Sequence, residues 1–335
     1  MRILGFIVYI LFLCAPSSFS QISDVVKERI DSDYKGISDI KHFGAKLNHD
    51  FFSKDDKLGA IYYWICTNVE IDVKKYFSKN GGYTYNFKYK TREEKVRKIQ
   101  ETDNKMALEA FRSKKATGKE YAHMFKKMCD NAGIECEVIS GCLKSKYEDI
   151  GRKPGRSDHL WNAVKIDGKW HLIDSFWGAG YLNEQEQTFT KQYSERFYML
   201  SPEEFFLNHF PKRTQWVLVD RSPQEFEALP LFHYQYFFLN MNLLIPAKGI
   251  VSVVSKGKIS VVFKEKGEGI NTQDLFGFSY GFEKDETLAK IIPFKKGEYV
   301  KFQIPVPDLK HDYFSIYFKG QPVVTYKIKL PANTF

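Results

Sequence analysis

Apolar positions lay out most of the chain's elements. After Ser53-Lys54-Asp55-Asp56, a capping-box pattern with Asp in its last place, Ile61, Trp64, Ile65 and Val69 recur at helical spacing. They predict a helix with one buried stripe. Tyr121, Ala122, Phe125, Met128 and Cys129 predict a second amphipathic helix, with Gly133 standing where a C-terminal cap is wanted. Ile134 to Leu143 then reads as a strand, bounded by loop-forming residues from Ser145 to Ser157. His159 to Ile166 and Lys169 to Asp174 flank Asp167-Gly168, a strong two-residue hairpin signal. In that register Asp174 faces Trp161 and is a diagonal neighbour of His159 on one face of the sheet, ~7–8 Å apart at the backbone. A hairpin alone therefore places an imidazole and a carboxylate within reach of each other.

From about Leu231 the pattern changes to short apolar and aromatic runs. Ile250 to Ser255 and Lys258 to Phe263 flank Lys256-Gly257 and read as another hairpin. Further runs lie at Phe276 to Phe282, Tyr299 to Pro305, Tyr313 to Phe318 and Val323 to Leu330. About six or seven short strands in ~100 residues predict a β-sandwich. The chain carries no internal repeat and no low-complexity tract.

Length and composition fit that layout. The 335 residues suffice for two domains, and 43% hydrophobic with 16% aromatic residues argue for a substantial core and against disorder. Residues 1–20 read as a secretory signal, with Arg2 as its positive start, Ile3 to Leu13 as its apolar run and Ser18-Phe19-Ser20 as its cleavage site. The run is shorter than the ~20 residues that span a bilayer. Lipid anchoring through Cys14 is not expected, because Leu13 stands where a small residue is needed. The mature chain is thus expected to be exported, to a periplasm or beyond the cell, and not to span a membrane.

Without Arg2 the net charge falls from +9 to +8. Lys and Arg are interleaved with acids, as in Thr91-Arg92-Glu93-Glu94-Lys95, which describes a solvated basic surface rather than a nucleic-acid groove. Cys66, Cys129, Cys136 and Cys142 remain after cleavage. An oxidising compartment permits disulfides of open connectivity, and buried free thiols are the alternative. His and Cys lack the close paired spacings of structural zinc sites, so no metal and no cofactor are expected.

One segment carries more information than the rest. Ser157-Asp158-His159-Leu160-Trp161-Asn162-Ala163-Val164, followed by Lys169-Trp170-His171-Leu172-Ile173-Asp174-Ser175-Phe176-Trp177-Gly178, resembles the transglutaminase-like superfamily, most closely its kyphoscoliosis-peptidase-like branch. Ala60-Ile61-Tyr62-Tyr63-Trp64-Ile65 upstream and Phe205 through His209-Phe210-Pro211 to Trp216 downstream support it, so that the resemblance covers roughly Asp24 to Phe232. It implies an α+β fold: a signal peptide at 1–20, a papain/transglutaminase-like domain at 21–232 with helices packed on an antiparallel sheet, and an Ig-like β-sandwich at 233–335. It also implies a thiol at the start of a central helix, a His base on a following strand and an orienting Asp on the next. By motif match His159 takes the base position and Asp174 the orienting position.

The chain departs from that pattern at the nucleophile. Where the family's helix opens Val-Cys-x-Gly-Tyr-Ala, this sequence reads Thr117-Gly118-Lys119-Glu120-Tyr121-Ala122, which puts Gly118 in the cysteine's place and Glu120 in the following glycine's. Glycine cannot attack. The Thr117 hydroxyl belongs to another part of the turn, and Cys129 lies about three helical turns, ~16 Å, further along. Cys66 and Cys142 are the formal candidates for a displaced thiol. Glu120, Tyr121, Trp161 and Trp177 are cleft candidates, with Glu120 expected to form a salt bridge in the emptied pocket. Trp170 is expected to pack, and His171 to lie on the opposite face from His159.

The resulting expectation is an exported, non-catalytic transglutaminase-like protein that binds a protein or a cell-surface polymer. The alternative is a cysteine-type peptidase or acyltransferase with a relocated nucleophile using His159 and Asp174. A third reading makes the β-sandwich a glycan- or partner-binding module on a rigid spacer.

Overall fold

A computed structural model describes residues 21–78, 85, 87–183, 187–253, 257–267, 269–283, 287–306 and 312–329. The expected signal at 1–20, including Cys14, lies outside them, as does Leu330. Among the described residues no helix is long and apolar enough to cross a membrane.

The N-terminal part is helical. Helices α1 (Asp24–Asp33), α2 (Ile40–Asp50), α3 (Lys54–Asn68), α4 (Arg92–Ser113) and α5 (Gly118–Asn131) precede the first large sheet. The Ser53 hydroxyl accepts from the Asp56 amide at 3.0 Å and starts α3 where expected. Ile61, Trp64, Ile65 and Val69 are all fully buried. At the far end of α5, Gly133 has φ +71° and the Ile134 amide donates to Cys129 O at 3.0 Å, so the helix closes by a left-handed turn that glycine adopts without strain.

That turn delivers the chain into an antiparallel sheet of β1 (Glu135–Leu143), β2 (His159–Ile166), β3 (Lys169–Ile173) and β4 (His209–Pro211), in the order β3-β2-β1-β4. Asp167 and Gly168 both have positive φ, and Val164 pairs with His171 and Asn162 with Ile173, the register expected from the hairpin signal. The ladder stops at Ile173. Asp174 leaves it to cap the short helix α6 (Ser175–Ala179), accepting from the Phe176 and Trp177 amides at 2.9 and 3.1 Å.

Both faces of this sheet are covered. Cys136, Val164, Ile166 and Ile173 join the helical core, while Ile139, Trp161, Ala163 and Leu172 belong to a second apolar cluster. That cluster continues through Phe197, Phe205 and Phe237 into the C-terminal sheets.

The β-rich C-terminal region contains β5 (Leu231–Phe232), β6 (Met241–Ile245), β7 (Ile250–Ser252), β8 (Lys258–Glu265), β9 (Phe278–Phe282), β10 (Ala289–Lys290), β11 (Phe294–Lys296), β12 (Tyr299–Pro305), β13 (Tyr313–Phe318) and β14 (Gln321–Lys329). One sheet runs β6-β8-β12-β11, the other β7-β14-β13-β9-β10 with β5 also on β14. In β12 exposed and buried residues alternate along the strand, and Val300, Phe302 and Ile304 face inward. Phe278 of the opposite sheet meets Phe302 with ring centroids 4.9 Å apart.

Of the hairpin expected around Lys256-Gly257, residues 254–256 lie outside the described residues, and the strands on either side do not pair with each other. β7 pairs in parallel with β14, whereas β8 pairs with β6 and β12 in the other sheet. A sandwich crossover and a hairpin present the same local alternation, and only the choice of partner strand separates them.

Candidate functional site

The site is assembled at the open end of β2. His159 is the first residue of that strand and Asp174 the first beyond β3, so the hairpin register brings them together as the sequence implied. His159 Nε2 lies 2.6 Å from Asp174 Oδ2, and both residues are buried. The Asp174 carboxylate is heavily used. Oδ1 accepts from two amides of α6, and Oδ2 faces both His159 and His209, whose Nε2 is 3.1 Å away. Burial alone would raise its pKa, but the two imidazoles outweigh that and hold it well below the usual carboxylate range.

His209 is the residue that sequence reading did not place in the site. It begins β4, which joins the sheet through β1, with Leu143 opposite His209. Thirty-five positions separate it from Asp174, so no local spacing could reveal the contact. Its only signal was its place in the quoted His209-Phe210-Pro211 block. Trp161 packs edge-on against it, and Phe205 covers it with ring centroids 4.0 Å apart.

His159, Asp174 and His209 present ligand atoms within 4.8 Å of one another, a set that could hold a metal ion. The expectation of no metal rested on short sequence spacings, which cannot detect three ligands brought from three elements. The same atoms are joined in the protein by direct hydrogen bonds between the imidazoles and the carboxylate.

Burial lowers the His209 pKa to about 4, against the pull of Asp174, so His209 is neutral at pH 7. Burial likewise lowers His233, which hydrogen-bonds Thr325, to about 4. Unfolded histidines take up a proton near pH ~6.5, so between that value and about 4 the unfolded chain binds more protons and stability falls as the pH falls. We expect each histidine to remove about 3 kcal/mol across that window. Urea unfolding at pH 7 and pH 4.5 should show the loss, and His209→Gln should cut it by roughly half. Equal stability of the native chain at the two pH values would overturn this.

The other face of His159 looks toward α5. A Cβ built on Gly118 would lie 3.4 Å from His159 Nδ1, 3.5 Å from Cε1 and 3.8 Å from Phe176 Cδ2. These are ordinary van der Waals distances. A side chain there would begin beside the imidazole nitrogen that Asp174 does not use.

Glu120 forms the expected salt bridge, with Lys75 as its partner. Its carboxylate also turns back to accept from the Thr117 amide at 2.7 Å and hydroxyl at 3.0 Å. It closes the first turn of α5 as a capping box does, which also occupies the Thr117 hydroxyl. Tyr121 and Trp161 are core residues rather than cleft walls, each only 1% exposed. The Tyr121 hydroxyl donates to Val69 O, and the Trp161 ring stacks on His159. Trp177 is half-buried against Phe197, His209 and Phe237. Trp170 packs edge-on against Trp216, and His171 lies opposite Val164.

The four described cysteines are free and buried. Cys66 Sγ faces Ser175 O at 3.4 Å, and none of the four hydrogen-bonds His159. Burial raises the thiol pKa of Cys66, Cys129 and Cys142, the opposite of what an activated nucleophile needs.

Comparison with known proteins finds likeness in sequence. Residues 43–175 match the profile of the transglutaminase-like superfamily core. The chain is similar to the kyphoscoliosis peptidase of Mus musculus, 25% identical over 299 residues, covering 88% of this chain and 40% of that protein. It is also similar to the kyphoscoliosis peptidase of Homo sapiens, 28% identical over 212 residues, covering 62% and 29% respectively. The chain therefore spans well under half the length of these relatives. A crystal structure described as a TGase aligns with 52% of this chain and 41% of its own at 14% identity and a TM-score of 0.27, too partial a likeness to establish shared architecture.

Proposed function

We propose that this is an exported, catalytically inactive transglutaminase-like protein in which Gly118 occupies the nucleophile's position, and that it acts as a binding module for a protein or a cell-surface polymer. The observation that carries the reading is the 3.4 Å between a Cβ at Gly118 and His159 Nδ1. His159 and Asp174 keep the relation of a base and its orienting carboxylate. The position from which an acyl-attacking atom would approach the base has no side chain. A dyad of this kind can hold and move a proton, but a covalent acyl step needs a nucleophile within hydrogen-bond reach of the imidazole.

The reading with a relocated nucleophile finds less support. Thr117 is tied to Glu120, and the four described thiols are buried and make no hydrogen bond to His159. Export rests on the sequence pattern of residues 1–20. Incubation of the mature chain with peptide and ester substrates, followed by mass spectrometry, tests the proposal. No amide hydrolysis and no transamidation are expected. Turnover that disappears in His159→Ala would sink the reading.

A further inference from the structure

We propose that the solvent face of the sheet β6-β8-β12-β11 is a docking surface for an anionic lipid bilayer. Phe294 and Ile292 enter the headgroup layer there, and the lysines beside them pair with the lipid headgroups.

Strand register defines this face. Val300, Phe302 and Ile304 of β12 point into the core, so Tyr299 and Lys301 point out. Tyr299 lies between Lys264 of β8 and Lys296 of β11. In the next outward row Lys301 lies between Val262 and Phe294, and Ile245 of β6 stands beyond Val262. Phe294 is 65% exposed and Ile245 50%. Ile292, two positions before Phe294 and next to the buried Ile291, is 86% exposed. The solvent face of an antiparallel sheet is ordinarily polar, and apolar side chains grouped on one mark an interaction surface.

Charge selects the partner. Lys258, Lys264, Lys296 and Lys301 all lie on this face. The only acid in the four strands, Glu265, stands opposite the buried Met241 on the inner side and pairs with Lys295 at 2.8 Å. Glu298, in the turn between β11 and β12, pairs with Lys264 at 3.3 Å. Among the described residues Lys296 and Lys301 form no ion pair, so their charge is open to a ligand. Lysine carries that charge on a flexible apolar stem, which can lie along Tyr299 or Phe294 while the ammonium group reaches a headgroup phosphate. A bilayer supplies both complements at once, a plane of negative charge and an apolar layer beneath it. A peptide added as a further strand fits less well, because Pro293 interrupts the edge between β10 and β11 and has no amide to donate.

The test sediments the full mature chain with sucrose-loaded vesicles of phosphatidylcholine, alone or with about one third phosphatidylglycerol. The anionic vesicles should bind at least about tenfold more tightly than the neutral ones. Raising the ionic strength from about 0.1 M to about 1 M, which shortens the screening length from ~10 Å to ~3 Å, should release most of the bound chain. Lys296→Gln with Lys301→Gln should weaken binding about 20- to 30-fold, at about fivefold for each lysine. Lys41→Gln with Lys54→Gln removes the same charge from exposed positions on α2 and α3 and should change binding by less than about twofold. Phe294→Ser should weaken binding about tenfold and leave the urea midpoint unchanged, because the side chain is exposed. Equal binding to neutral and anionic vesicles, binding to neither, equal losses from the two lysine pairs, or an unchanged Phe294→Ser would each overturn the proposal. Dextran sulfate, a polyanion with no apolar layer, is the remaining arm. Tight binding to it with none to the anionic vesicles would assign the face to a soluble polyanion and overturn the lipid partner.

Discussion

Gly118→Cys should create the fastest-reacting thiol in the protein. The Cβ would sit 3.4 Å from His159 Nδ1, so its Sγ can reach hydrogen-bond distance without displacing the backbone. Beside an imidazole and at the N-terminus of α5, a thiol is expected to ionise well below its usual pKa of ~8.5. At pH ~6 an ordinary thiol is only ~0.3% thiolate, whereas one with a pKa near or below 6 is half ionised or more. Iodoacetamide should therefore alkylate the introduced thiol on the order of 10–100 times faster than an unperturbed one, after allowing for the lower nucleophilicity of a stabilised thiolate. The four native cysteines should stay slow, because all are buried. His159→Ala in the same background should remove the advantage. An introduced thiol that reacts at the ordinary rate, or is indifferent to His159, would show that the position does not face a working base.

The second large effect is on stability. Asp174→Ala should destabilise the chain by about 3–5 kcal/mol, read from urea unfolding at pH 7. The carboxylate is 1% exposed and is the acceptor for His159, His209 and the two amides that start α6. Removing it leaves three buried donors and the part-buried Trp177 amide without their partner, each buried one costing about 1–3 kcal/mol before relaxation. Asp174→Asn keeps an oxygen for the α6 amides and should cost clearly less. The native contribution has the sign of a depressed carboxylate: it is present above the unfolded pKa of ~3.9 and is lost as pH falls toward the folded value. A loss below about 1 kcal/mol for Asp174→Ala would mean that the cluster is not a structural keystone of this region.

Much of the site was legible because its two principal groups are linked by one hairpin. Asp167-Gly168 sets the turn, the turn sets the register, and the register puts His159 and Asp174 together. The opening of α5 was legible for a similar reason, since Gly118 and its neighbours stand in one short motif. Glu120 forms the salt bridge expected of it, with Lys75, but which partner it would take was open because two roles suit a carboxylate at that position. Sequence could not say whether it would face the imidazole or fold back on Thr117 and Lys75.

The sequence by itself determined the two helices through Trp64 and Phe125, the hairpin and the β-rich C-terminal region, because periodicity, caps and turn residues act over a few positions. It also determined that Gly118 carries no side chain. Only the tertiary structure decided that His209 shares Asp174, that the strands around Lys256-Gly257 enter different sheets, and that the described thiols are free and buried. Those outcomes depend on which distant elements pack together. That choice follows from the burial of many side chains at once, and no local pattern encodes it.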